Sequence, residues 1–135
     1  MSRSDPPVAG RFALVVDDDC ALRGLFTALL TRKGFTVDLA GDGRIAFDQL
    51  SRNSYSVILL DLMMPDVDGV ELLERMERDS PSLLKRVIVM TGAAHRQIDR
   101  VDASQVWDVI RKPFDIDQLV SSAIACSDGN ARGNA

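Results

Sequence analysis

Val57-Ile58-Leu59-Leu60-Asp61 is the stretch on which the fold turns: an apolar run that ends in a carboxylate. A short apolar run between helical patterns reads as a strand buried on both faces, as in a parallel sheet. The pattern recurs along the chain. Phe12-Ala13-Leu14-Val15-Val16 runs into Asp17-Asp18-Asp19, Val87-Ile88-Val89-Met90 runs into Thr91, and residues 106–110 pass through Arg111 into Lys112-Pro113-Phe114. In an open α/β sheet the carboxyl ends of the strands lie along one edge, and sites form in the crevice outside it. Carboxylates, a hydroxyl and an ammonium are thereby expected at one place, and that set suits a divalent cation and a phosphoryl group.

Helical patterns fill the intervals. Leu22, Leu25, Phe26 and Leu29 recur at helical spacing until Gly34, a residue suited to a helix stop. Phe35-Thr36-Val37-Asp38-Leu39 alternates as a short strand. Asp42 is placed to cap a helix carrying Ile45, Ala46 and Leu50, which Asn53-Ser54 breaks. A third helix carries Val70, Leu73 and Met76 and ends at Ser80-Pro81-Ser82. A fourth, over residues 94–104, has few apolar positions. The last has Asp115 as N-cap, Gln118 at the third position as in a capping box, and Ile116, Leu119, Val120, Ala123 and Ile124 on one face. This alternation gives a parallel sheet with helices on both faces and right-handed crossovers. Residues 1–10 and 127–135 read as flexible tails around a single domain at 11–126.

Composition narrows the function. A net charge of -4 argues against nucleic-acid binding. The first ten residues lack the apolar stretch of a signal peptide, and no apolar run reaches the roughly 20 residues that span a bilayer. Cys20 and Cys126 form no CxxC pair, so the expected location is the cytoplasm, with both thiols reduced.

Each candidate has a plain alternative. Asp61 at a strand end can be a nucleophile toward phosphorus, or simply a turn starter. Asp17 and Asp18 repel each other unless a cation is present, while Asp19 suits the start of the following helix. Thr91 can donate to a phosphoryl oxygen or serve as an ordinary β-branched strand residue. Lys112 can hold the acids together or be a solvated lysine, and its bond to Pro113 can be cis. His95 reads as a solvated residue at a helix start. Cys20, beside the acids, reads as a packed thiol, since neighbouring carboxylates raise a thiol pKa.

Taken together, LVVDDD at 14–19, LLDLMMPDVDG at 59–69, VIVMTG at 87–92 and VIRKPF at 109–114 resemble the receiver domain of two-component response regulators, over about residues 11–126. The resemblance implies a flavodoxin-like doubly wound parallel sheet of five strands in order 2-1-3-4-5 with five helices. It implies a stand-alone, chemotaxis-regulator-like protein rather than a turnover enzyme. In it Asp61 is the phospho-acceptor, and Asp18, Asp61 and the Met63 carbonyl hold Mg2+ (or Mn2+), with Asp17 acting through a bound water. Thr91 and Lys112 meet the phosphoryl group. The implied donor is a sensor histidine kinase or histidine phosphotransfer protein, and the output is a downstream protein target. No direct nucleic-acid or membrane contact is implied, and the state is a monomer or a weak dimer through the fourth helix, fifth strand and fifth helix. One position departs from the family: the aromatic residue usual three places before the lysine is here Val109. Trp107, two residues earlier, is then expected to be an exposed docking residue. Only nine residues follow Cys126, so either no output domain is needed or the chain is a piece of a longer protein. A dehalogenase-type phosphatase could share the Asp, Thr and Lys, but no acidic pair follows a strand after Lys112. A pseudo-receiver that only binds partners would not need the complete acceptor set.

Overall fold

The computed structural model describes residues 10–62, 69–92 and 103–133. The elements run β1 (Phe12–Val16), α1 (Cys20–Arg32), β2 (Thr36–Ala40), α2 (Gly43–Arg52), β3 (Val57–Asp61), α3 (Gly69–Asp79), a 3-10 helix (Pro81–Arg86), β4 (Val87–Gly92), β5 (Asp108–Lys112) and α4 (Ile116–Gly133). The strands form one sheet in the order β2-β1-β3-β4-β5, and every pairing is parallel. The parallel sheet is what the apolar runs imply, and its flavodoxin-like strand order is what the resemblance implies. The fourth helix expected in 94–104 falls almost wholly outside the described residues, so the last of the five expected helices is α4 here.

The sheet splits the core in two. Leu14, Val16, Ile58 and Leu60 pack with Ala46, Val70 and Met76 under α2 and α3. Ala13, Val15, Val57 and Leu59 pack with Phe26, Leu30, Leu119 and Ala123 under α1 and α4. Successive residues of β1 and β3 thus serve opposite layers, because strand side chains alternate faces. That is why these strands carry unbroken apolar runs.

Local chemistry fixes the helix ends. Asp19 accepts from the Ala21 and Leu22 amides at 2.9 and 3.2 Å, and Asp42 accepts from Ile45 at 2.9 Å. Asp115 accepts from Asp117 at 2.9 Å. Gly34 at φ 85° ends α1 in a Schellman turn: its amide reaches Thr31 O and the Phe35 amide reaches Leu30 O, both at 3.1 Å. A side chain with a Cβ would be strained there.

The third helix ends before Ser80 as expected; one turn beyond the expected elements follows it, and three expectations need correction. The 3-10 turn after Pro81 follows from a proline that stops α3 but suits the first position of a new helical turn. β5 begins at Asp108 rather than at Val106, since Val106 and Trp107 lie ahead of the ladder. Leu25 and Ile45 are exposed, each one helical step off the buried positions Phe26 and Ala46. Residues 127–133 continue α4 instead of forming a tail, because they gain partners from the start of the sheet: Ser127 is buried against Ser56, and Asp128 pairs with Arg11.

Candidate functional site

The β1–β2 pairing extends one residue past Val16, with the Asp17 amide donating to Ala40 O at 3.1 Å. Asp17 is thus carried rigidly to the sheet edge, yet remains fully buried. Its Oδ1 accepts from the Asp19 amide at 2.8 Å. Its Oδ2 is buried without a hydrogen-bond partner among the described residues. Asp18 next to it is exposed. Asp61 ends β3, two strands' width from β2, and is 4% exposed. One oxygen from each of Asp17, Asp18 and Asp61 lies within 4.8 Å of the others. From the far side, Lys112 at the end of β5 brings Nζ to 3.7 Å from Asp61 Oδ2.

Among the described residues, three acids face one ammonium, which leaves a surplus of negative charge. Burial pushes the Asp17 carboxyl up to about 6, against the pull of the Asp19 amide; the Asp61 charge raises it further, Lys112 lowers it, and Asp18 adds a small rise. A buried carboxylate oxygen with no donor is costly. Hard oxygen donors so close together are what a small divalent cation coordinates, usually with waters retained. The donor set fits such an ion.

Thr91 is fully buried in β4, one residue beyond Met90, the register partner of Asp61. Among the described residues its hydroxyl makes only a long 3.4 Å contact, to Gly92 O. Gly69 begins α3 directly on the end of β3: a Cβ there would lie 2.3 Å from Asp61 O and 2.5 Å from Leu62 Cα. The structure thereby brings Asp17, Asp18, Asp61 and Lys112 together, with Thr91 on the adjoining strand. Met63 and His95 lie outside the described residues. The Lys112–Pro113 bond is cis.

Residues 13–124 match the family described as the response regulator receiver domain. This chain belongs to that family. Among the relatives of this receiver domain is the transcriptional regulatory protein TcrA of Mycobacterium tuberculosis, 32% identical over 120 residues, covering 89% of this chain and 47% of TcrA. Another is sporulation initiation phosphotransferase F of Bacillus subtilis, 32% identical over 109 residues, covering 78% of this chain and 85% of that protein. A receiver domain from Methanospirillum hungatei superposes with a TM-score of 0.78 at 27% identity, over 90% of this chain and 97% of the other. The receiver domain spans about half the length of TcrA and the other regulators it matches. No helix among the described residues is long and apolar enough to cross a membrane.

Two positions singled out in the sequence lie away from the acids. Val109 is half-buried against the α2–α3 layer. Trp107 lies five residues before Lys112, so about 16 Å down the strand direction, and it is 42% exposed. Its indole covers Gly129 on α4, where an added Cβ would sit 3.8 Å from it. Cys20 is exposed at the first position of α1, not packed as expected.

Arg23 escaped the sequence reading. Its Nη1 donates to the Asp17 carbonyl at 2.8 Å. The signal available was a cation near a helix start, where the dipole disfavours one and where α1 carries no acidic residue in its first turn.

Proposed function

We propose that this receiver domain is a Mg2+-dependent phospho-accepting switch of a two-component phosphorelay, with Asp61 as the acceptor. The observation that carries the reading is Asp61 itself: buried at a strand end, within 4.8 Å of two further carboxylates and 3.7 Å from Lys112. Asp17, Asp18 and Asp61 would hold the cation, with the Met63 carbonyl as a further ligand. Once bound, Mg2+ (or Mn2+) offsets charge on the transferring phosphoryl oxygens.

The donor is a phosphohistidine on a sensor kinase or phosphotransfer protein, which implies a cytoplasmic setting. An Asp61 carboxylate oxygen attacks phosphorus in line; the O–P bond forms as the P–N bond breaks, and the electron pair returns to the donor's imidazole. Lys112 follows the developing charge on the phosphoryl oxygens. Thr91 donates its hydroxyl to one of them, giving up its weak contact with Gly92. The product carries charge of about −1.5 to −2 at the sheet edge, by analogy with other phospho-residues. That charge shifts the population of the surface formed by β5, α4 and the segment before β5. Val109 replaces the usual aromatic partner of this movement, and Trp107 offers a docking side chain for the downstream protein or for a weak dimer. The Bacillus relative bears the name of a phosphotransferase, in keeping with a relay role.

The test is intact mass after incubation with Mg2+ and acetyl phosphate. One added phosphoryl group in the wild type, absent with EDTA and absent in Asp61→Asn, is the expected result. Rapid release of inorganic phosphate without an adduct would favour a phosphatase, and no adduct at all a partner-binding module.

A further inference from the structure

Asp17, Asp19 and Arg23 are joined in a closed circuit of three hydrogen bonds. The Asp19 amide donates to Asp17 Oδ1 at 2.8 Å. The Arg23 amide donates to the Asp19 carbonyl at 3.0 Å, opening α1. Arg23 Nη1 returns to the Asp17 carbonyl at 2.8 Å. With the Asp17 amide bonded to Ala40 O, three of the four polar atoms of Asp17 are fixed. The fourth, Oδ2, is the buried oxygen with no hydrogen-bond partner among the described residues.

The path of the guanidinium depends on a missing side chain. A Cβ at Gly41 would lie 2.8 Å from Arg23 Nη1. The three nearest atoms, at 2.8–3.9 Å, all belong to the guanidinium. Gly41 is not one of the glycines with positive φ, so its backbone does not itself require glycine. A side chain there would instead displace the Arg23 guanidinium.

We infer that Arg23 is a positioning residue for the proposed phosphoryl-transfer site, holding the Asp17 peptide so that its bare carboxylate oxygen stays turned to the cation, and that Gly41 supplies the clearance Arg23 needs. This rests on the metal-dependent reading above. Arg23 reaches the Asp17 backbone carbonyl rather than the acceptor carboxylate, so it acts on metal affinity rather than on the transfer itself. Residues one shell out from a metal ligand characteristically change affinity by tenfold or more.

The experiment compares wild type, Arg23→Ala, Arg23→Lys, Gly41→Ala and the Gly41→Ala/Arg23→Ala double variant. Mg2+ affinity is measured by calorimetry, Asp19 amide exchange in the metal-free protein, and adduct formation with acetyl phosphate. Arg23→Ala is expected to weaken Mg2+ binding about tenfold and to speed Asp19 exchange without metal. At saturating Mg2+ its adduct forms at close to the wild-type rate. Arg23→Lys, which keeps one donor for the carbonyl, recovers most of the affinity. Gly41→Ala reproduces the Arg23→Ala defect, and the double variant is no worse than Arg23→Ala alone, because both changes break one contact. Wild-type affinity and Asp19 exchange in Arg23→Ala overturn the inference, as does full additivity of the two changes. Should Arg23→Ala fail to fold, Gly41→Ala and Arg23→Lys decide by the same readouts. If the wild type binds no Mg2+ or forms no adduct that Asp61→Asn abolishes, the functional reading fails and this inference with it. If the wild type passes both and Arg23→Ala is unchanged, only this inference fails.

Discussion

At the amino ends of the strands, polar groups are closed against one another. Arg11 meets Asp128 through two 3.0 Å bonds and gives a third, at 2.7 Å, to Lys33 O. Ser56 and Ser127 share a buried 2.5 Å hydrogen bond. The Tyr55 hydroxyl donates to Asp38 at 2.6 Å, and burial together with that carboxylate holds its pKa well above the ordinary phenol value. At the carboxyl ends the same sheet presents, among the described residues, a buried carboxylate oxygen without a donor and three acids facing one lysine. One edge is optimised for stability, and the other stores unfavourable charge that a ligand can relieve. Such asymmetry is expected where a site is grafted on a fold, since groups that satisfy each other fully have nothing left for a ligand.

The contrast can be broken most severely at Gly69. Gly69→Ala places a Cβ against backbone that cannot move cheaply, so a loss of about 2–3 kcal/mol in denaturant unfolding is expected, with reduced adduct on Asp61.

Asp17 offers a change in the opposite direction. Its carboxyl titrates near 6 in the folded protein against a reference of 3.8. Between those values the folded state keeps a proton that the unfolded chain has lost, so metal-free stability falls as pH rises through that window and stays low above it. Asp17→Asn is therefore expected to stabilise the metal-free protein at pH 7 by up to about 2–3 kcal/mol, an advantage that disappears below about pH 4. Mg2+ should invert the trend. Its stabilisation of the wild type grows as pH passes about 6 and should be largely lost in the variant; melting curves from pH 4 to 8 with Mg2+ or EDTA check both.

Smaller effects are expected at the closed edge. Ser127→Ala removes one partner of a buried pair, but Ser56 retains its contacts with Phe12, so about 1 kcal/mol is at stake. Asp128→Ala opens a partly exposed ion pair and should cost under about 1 kcal/mol, less in high salt. Neither should alter Mg2+ affinity, and a tenfold change in either would break the separation between the two edges. Trp107→Ala should be smallest in stability, about 0.5 kcal/mol, while weakening a downstream partner; a large fall in melting temperature would make Trp107 a core residue instead.

Much of this was legible in one dimension. The apolar runs at 12–16, 57–60 and 87–90 specified parallel strands because both their faces are covered. Asp19, Asp42 and Asp115 announced their helix starts because capping is a contact over two or three residues. Since parallel strands must deliver their ends to one edge, the approach of Asp17, Asp18, Asp61 and Lys112 followed from topology before any coordinate.

What the sequence could not supply depends on contacts between distant segments. Residues 127–133 look like a polar tail in isolation and become helix only where Ser56 and Arg11 meet them. Gly41 and Gly69 read as turn residues; only the tertiary structure shows that a side chain at the first would displace the Arg23 guanidinium and that one at the second would run into the Asp61 and Leu62 backbone. The sequence by itself determined which strands form, which faces are buried and which ionisable groups share an edge, because those properties rest on short-range periodicity. The Asp19 amide, two residues on, satisfies one oxygen of Asp17 locally; tertiary structure alone decided that the other is buried and, among the described residues, bare, because that burial depends on distant segments closing around the end of β1.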